Sequence, residues 1–220
     1  MQLIQNLCSL SDSECFLVPG SGVDLAFFNC SELVPLGKPV VLMASRLLST
    51  KGVREFVKAE NILRQRGFAA EFQLAGSPDL VNPASIKLAE IEAWRKNGHI
   101  KILGYCSDIR QLMSSAHIVC LPSYYPEGLP RVLCEAAASG RVVVTTDEPG
   151  CRDAIINGVT GLLVPSRNAE ALADALQYLL LNPELIRKMG VAARQYAKTS
   201  FDLDAVINLH LSIYSSLITS

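Results

Sequence analysis

Two glutamates eight residues apart, Glu127 and Glu135, bracket the segment Gly128-Leu129-Pro130 and the start of an alanine-rich run. Glu135 has Val132, Leu133, Cys134, Ala136, Ala137 and Ala138 around it, so its neighbours along the chain leave it little polar company. A carboxylate in such a place needs hydrogen-bond donors, since burying the charge without them costs several kcal/mol. A vicinal diol, such as that of a ribose, would satisfy both oxygens. Glu127 lies in a loop just ahead of a predicted helix, Pro130–Ser139, with Pro130 at its first position and Gly140 beyond its end. The free amides of that first turn favour an anion or hydroxyl groups placed against them. The plainer alternative is a solvated loop glutamate and a helical glutamate in a structural ion pair.

Arg46 and Lys51 add two cations in a loop that runs into another predicted helix. A fork-shaped guanidinium and a point-charge ammonium together suit a diphosphate. A lysine at a helix start is mildly unfavourable to the helix dipole, which argues for a ligand role. Tyr105, with the backbone from Gly104 to Ile109, offers either a shelf for a flat base or a partly buried loop packer. His117 starts a strand and reads as structural. His99 and His210 have no acidic or cysteine neighbours spaced as ligands, so no histidine stands out as a base.

These residues must be positioned by a regular alternation of elements. Apolar, β-branched runs predict strands at Val40–Ala44, Ala70–Ala75, Ile100–Leu103, Ile118–Leu121, Arg141–Thr145 and Gly161–Val164. Between and after them the patterning predicts helices over Gly52–Arg66, Ala84–Asn97, Ile109–Ser115, Pro130–Ser139, Ala169–Leu181, Pro183–Lys198 and Asp204–Leu217, with a turn of helix near Arg152–Ile156. Apolar strands, each followed by a helix, imply an α/β fold: a doubly wound, Rossmann-like, mainly parallel sheet with helices on both faces. In such a sheet every strand delivers its C-terminal end to one edge. Ser45–Gly52, Gly76–Asp79, Gly104–Cys106, Ser123–Pro130 and Thr146–Gly150 all fall there, where open α/β sheets bind ligands.

Composition narrows the partners. A chain of 220 residues, half of them hydrophobic, can build one large domain or a domain with an appendage. A net charge of −1 without a basic block argues against nucleic acid. The seven cysteines form no C-x-x-C pair, which suits reduced core thiols rather than a zinc site or a disulfide framework. No apolar run is long enough for a membrane span. Residues 1–10 read as a turn or two of helix, 16–19 as a short strand and 32–39 as a linker. Together, residues 1–38 read as the tail of another unit, with 39–200 the main domain and 201–220 an amphipathic terminal helix.

The form Glu-Gly-Leu-Pro-x-x-x-x-Glu-Ala resembles the nucleotide-sugar motif of the family-4 retaining glycosyltransferases. Ser-Arg-Leu-x-x-x-Lys-Gly is similar to that family's Gly-Arg-Leu-x-x-x-Lys-Gly, with Ser45 in place of the usual glycine. The resemblance runs from Phe16 to Leu217. It implies the C-terminal, nucleotide-sugar-binding half of a two-domain GT-B enzyme, whose Pro-Gly-Ser-Gly-Val-Asp segment closes a missing N-terminal domain. It assigns Glu127 as the catalytic residue, with the amides of Gly128 and Leu129 and the adjoining Pro130 at the donor sugar. It assigns Glu135 to the ribose, and Arg46 and Lys51 to the pyrophosphate. The implied donor is a UDP-linked hexose or N-acetylhexosamine and the acceptor a lipid-linked saccharide of O-antigen, capsule or protein glycosylation. No metal or other cofactor is implied. The site of action would be cytoplasmic, peripheral to the bacterial inner membrane, and the fragment alone would turn over little. An NAD-dependent oxidoreductase would share the sheet, but no Gly-x-Gly-x-x-Gly follows the first strand. A non-catalytic nucleotide-binding domain is the other alternative.

Overall fold

The computed structural model describes residues 11, 15, 16, 18, 20–29 and 37–218. Six strands form one parallel sheet: β1 (Val40–Ala44), β2 (Glu71–Ala75), β3 (Ile100–Gly104), β4 (Ile118–Leu121), β5 (Val142–Thr146) and β6 (Gly161–Val164). Their order across the sheet is β3-β2-β1-β4-β5-β6. The order reverses between β1 and β4, so the loops after these two strands diverge and leave a crevice at their C-terminal ends. All of β4 and β5 is buried, as expected for strands covered on both faces.

Among the described residues there are seven α-helices: α1 (Val53–Gln65), α2 (Leu88–Asn97), α3 (Ile109–Ser115), α4 (Arg131–Ala138), α5 (Ala169–Leu180), α6 (Pro183–Ser200) and α7 (Leu203–Ile218). On one face α1 packs on α5; on the other, α4 packs on α6. The main core runs from Val41 through Phe56, Leu74, Val119 and Val143 to Leu176. A smaller cluster joins Val23, Phe28, Cys134, Ala137, Ala197 and Phe201.

That smaller cluster shows where residues 20–29 lie. The Val23 amide donates to the Phe201 carbonyl at 2.7 Å, and the Leu203 amide donates back to Val23 O at 3.2 Å. Arg194 donates to Leu25 O (2.9 Å) and Phe28 O (3.3 Å), and also to Ala138 O at the end of α4. One guanidinium thereby satisfies an orphan helix carbonyl and fastens the segment to the domain. Gly20 rests against Leu129. The expected helix over 1–10 and the linker over 32–36 lie outside the described residues. Of the strand expected over 16–19, Phe16 and Val18 are described and neither is in a strand.

Two element boundaries differ from the sequence pattern for a visible reason. The helix expected from Ala84 begins only at Leu88, because Ala84 and Ile86 are engaged by the loop after β1: Ser49 N donates to Ala84 O at 2.7 Å, and Ile86 N to Leu47 O at 2.8 Å. Pro130 is the cap of α4 rather than its first residue, with extended ψ of 119°. In α7 only Val206 is buried, while Ile207, Leu211, Tyr214 and Leu217 are exposed. Among the described residues no helix is long and apolar enough to cross a membrane.

Candidate functional site

The loop after β1 is a short 3-10 turn, Ser49–Lys51, joined to α1 by Gly52. Gly52 has φ of 77°, and a Cβ there would lie 2.1 Å from the Pro122 carbonyl oxygen. Only glycine lets this loop press onto the loop after β4. Tyr124 N then donates to Thr50 O at 2.9 Å, sealing the two loops together. The outcome is a contact that 76 residues of sequence separate: Lys51 Nζ donates to both oxygens of Glu127, at 2.5 and 2.6 Å. Both side chains are largely buried, 15% and 22% exposed, so the pair is poorly screened by water. Ser123 Oγ adds a third hydrogen bond, 3.1 Å from Glu127 Oε1.

A second glycine shapes the same loop from the other side. Gly150, after β5, has φ of 80°, and a Cβ would fall 2.4 Å from the carbonyl oxygens of both Glu127 and Gly128. The ends of β4 and β5 are tied as well, since Thr145 Oγ1 donates to Leu121 O at 2.7 Å and Thr146 Oγ1 donates to Ser123 O. Glu127 is therefore fixed by three strand-end loops. Neither the Gly128 nor the Leu129 amide donates to another described residue.

Beside this loop, at the ends of β1, β2 and β3, lies a cavity of about 220 Å³ lined by Ser45, Gly76, Tyr105, Ile109, Val132 and Glu135, among others. Its floor is a lateral ladder of strand-end hydrogen bonds: Ser45 N to Ala75 O (3.1 Å), Leu47 N to Ser77 O (3.0 Å) and Gly76 N to Gly104 O (2.7 Å). Glu135 is 8% exposed and closes one wall. Burial pushes its carboxyl above the usual carboxylate range, and the Arg131 guanidinium opposes that rise. Arg131 Nε donates to Glu135 Oε1 at 2.9 Å from one turn earlier on α4. The sequence reading overlooked this partner, so Glu135 is less isolated than its apolar neighbours suggest.

Tyr105 is 79% exposed at the cavity mouth, which rules out a packing role and leaves its ring face open. Arg46, next to the lining residue Ser45, is 64% exposed and pairs with Asp79 at 3.1 Å. Asp79 comes from the loop after β2; nothing in its local sequence marked it as a partner. Arg46, Lys51, Gly104, Tyr105, Ile109, Glu127, Gly128, Leu129, Pro130 and Glu135 all stand at the C-terminal edge of the sheet. His117 lies at the other end of β4, where its Nδ1 accepts from Val40 N at 3.1 Å.

No group of three or more metal-ligating side chains occurs among the described residues. Cys120, Cys134 and Cys151 are buried, and burial pushes the Cys134 thiol up to about 12, so it stays protonated. Cys15 and Cys106 are half-buried and free; Cys8 and Cys30 lie outside the described residues.

This arrangement, cations and carboxylates on loops at the switch point of a parallel sheet, coincides with a match over residues 29–196 to the family model described as glycosyl transferases group 1. The chain belongs to that family. Within the group 1 glycosyltransferases, it is 34% identical over 181 residues to the N,N'-diacetylbacillosaminyl-diphospho-undecaprenol alpha-1,3-N-acetylgalactosaminyltransferase of Campylobacter jejuni, covering 82% of this chain and 46% of that protein. The chain spans about half the length of the curated relatives it matches. Among solved structures, Anabaena HepE in complex with UDP superposes with a TM-score of 0.84 at 21% identity, covering 98% of this chain and 61% of that one. The C-terminal domain of the Francisella tularensis group 1 glycosyl transferase LpcC superposes with a TM-score of 0.71 at 21% identity, over 83% of this chain and 100% of that one. At such identities these two likenesses establish the shared fold.

Proposed function

We propose that this chain is the C-terminal, donor-binding domain of a family-4 retaining glycosyltransferase of the GT-B type. The observation that carries the reading is the convergence of Lys51, Glu127 and Glu135 on one edge of the sheet, around the start of α4. An ammonium has three protons, and two are engaged by Glu127. The third is available to a phosphoryl oxygen without breaking the pair. Arg46, mostly exposed beside the cavity, supplies further donors, and the α4 N-terminus adds its partial positive charge. These groups bind the diphosphate and stabilise the charge that grows on it as the glycosidic bond to the donor breaks, so no metal is required for that task.

Glu135 accepts hydrogen bonds from the ribose, and Tyr105 together with Ile109 and Gly104 bounds the base. Glu127 and the amides of Gly128 and Leu129 address the sugar, a hexose or N-acetylhexosamine. The undecaprenol-linked acceptor in the name of the Campylobacter jejuni relative supports a lipid-linked saccharide acceptor, and with it a protein working peripherally at the cytoplasmic face of the inner membrane in surface polysaccharide synthesis. UDP in the HepE complex supports a uridine donor. An N-terminal domain would supply the acceptor side of the cleft, so this part alone binds nucleotide and turns over little.

Titration calorimetry of the 220-residue chain with UDP, GDP and NAD tests the reading. UDP binding that Lys51→Ala weakens supports it. NAD binding without nucleoside diphosphate binding, or no binding of either diphosphate, removes it.

A further inference from the structure

At the opposite end of β3 lies a second cavity, about 430 Å³, between α1 and α2. Glu60, Asn61, Arg64, Trp94, Asn97 and His99 are among its lining residues. None of them belongs to the donor rim.

Glu60 is the residue that packing alone does not explain. It stands in the buried stripe of α1 with Phe56, Ala59 and Leu63 and is 8% exposed. A stable helix face calls for an apolar side chain there, and a carboxylate is penalised for its lost hydration. Its nearest cation, Arg64, keeps Nε 3.5 Å from Oε1, beyond a good hydrogen bond. Arg64 instead gives its NH2 to Asn61 Oδ1 at 2.5 Å. Among the described residues none donates a hydrogen bond to the Glu60 carboxylate. Burial also holds this carboxyl above its usual range, with Arg64 and then His99 opposing. The Glu60 oxygens are not sealed from solvent, so a carboxylate that faces this cavity without a protein donor takes its hydrogen bonds from water or from a ligand's hydroxyl.

The rest of the lining narrows the ligand. The lining balances Glu60 against Lys58 and Arg64, which suits a neutral ligand, and a wholly apolar molecule would strip water from the Glu60 carboxylate and the Asn97 amide without replacing it. What fits is a saturated ring carrying hydroxyls: they donate to Glu60, accept from Arg64 and exchange bonds with Asn97, while the axial C–H bonds on one side of the ring lie on the half-buried indole of Trp94. We propose that this cavity is a second carbohydrate site, taking a neutral hexopyranose unit of a saccharide, at a distance from the nucleotide-sugar rim. The inference does not depend on the donor reading.

Trp94 is the only tryptophan in the chain, so tryptophan fluorescence reports on this cavity alone. Maltotriose and N,N'-diacetylchitobiose are titrated separately into the chain, into Glu60→Gln and into Asn97→Ala. Asn97 is exposed at a helix end, which keeps that variant folded whatever the fate of the other. The expected result is a saturable emission change with at least one sugar in the millimolar range, weakened about tenfold in each variant, while UDP neither changes the emission nor displaces the sugar. No saturable change with either sugar, undiminished binding in both variants, or competition by UDP overturns the proposal. Calorimetry with UDP on the same samples keeps the donor reading separate, since it can succeed or fail independently.

Discussion

Glu127 and Glu135 belong to one short stretch of chain, yet opposite means hold them. Glu127 sits on a loop whose place is set by the ends of three strands, and its partner Lys51 comes from a different crossover. Glu135 sits inside a helix and takes its cation from one turn earlier on that same helix. The first carboxylate is positioned by tertiary structure and takes three hydrogen bonds from two donor groups, Lys51 and Ser123. The second is positioned by local helical geometry and is taxed by burial. A carboxylate that must be oriented is braced from outside its element; one that must be desolvated is carried in on a helix.

The strongest way to break this contrast is to remove the brace. On the function proposed above, Lys51→Ala in a protein that also carries the acceptor-binding half should lower turnover by about a hundredfold to a thousandfold, because it would delete a donor to the departing diphosphate and free Glu127 at once. A loss no greater than that of an exposed lysine on α6 would place Lys51 outside the site. Next in size, Gly52→Ala should cost about 2 to 3 kcal/mol in urea unfolding, from its left-handed backbone and the Pro122 carbonyl in the way. Gly98, with φ of 69° and nothing within 4 Å of a Cβ, is the control and should cost about 1 kcal/mol on alanine substitution. Equal costs at the two positions would mean that the inter-loop contact contributes little.

Glu135→Ala should weaken UDP binding about tenfold while the fold survives, since a helical alanine replaces it. Unchanged affinity by calorimetry would count against its ribose role. The pH dependence sharpens the same point. Burial holds the Glu135 carboxyl above its unfolded value, so the folded chain binds the proton more tightly. Its contribution to stability is therefore full below the unfolded value and is lost as pH rises through the folded one. On acidification from neutral pH into the upper carboxylate range, wild type should gain stability relative to Glu135→Gln while losing UDP affinity that the variant keeps. Parallel curves for the two proteins would dispose of this. The smallest effect belongs to Arg131→Ala: its side chain is 68% exposed, and the one-turn pair is worth about 0.5 kcal/mol.

Much of this arrangement was legible in the sequence because parallel strands announce themselves. Val40–Ala44, Ile118–Leu121 and Gly161–Val164 fall where their apolar runs lie, and a parallel sheet then dictates which ends share an edge. The rest turned on contacts between distant segments. Nothing near Ile86 says that Leu47 will engage its backbone, and nothing near Arg46 points to Asp79. The glycines at the strand ends are visible as an enrichment, but that Gly52 and Gly150 press on the loop of Glu127 is a property of packing. Arg131 differs, because its spacing from Glu135 was in plain view. Glu60 was hidden by its own pattern, as a polar residue on an otherwise apolar helical stripe.

The strap of residues 20–29 links the way into the domain to the way out of it. It leans on Leu129 at one end and is laced to residues 201–203 at the other, with Arg194 as the rivet. Leu129, which precedes Pro130 at the start of α4, therefore shares one brace with the segment that leads into the last helix.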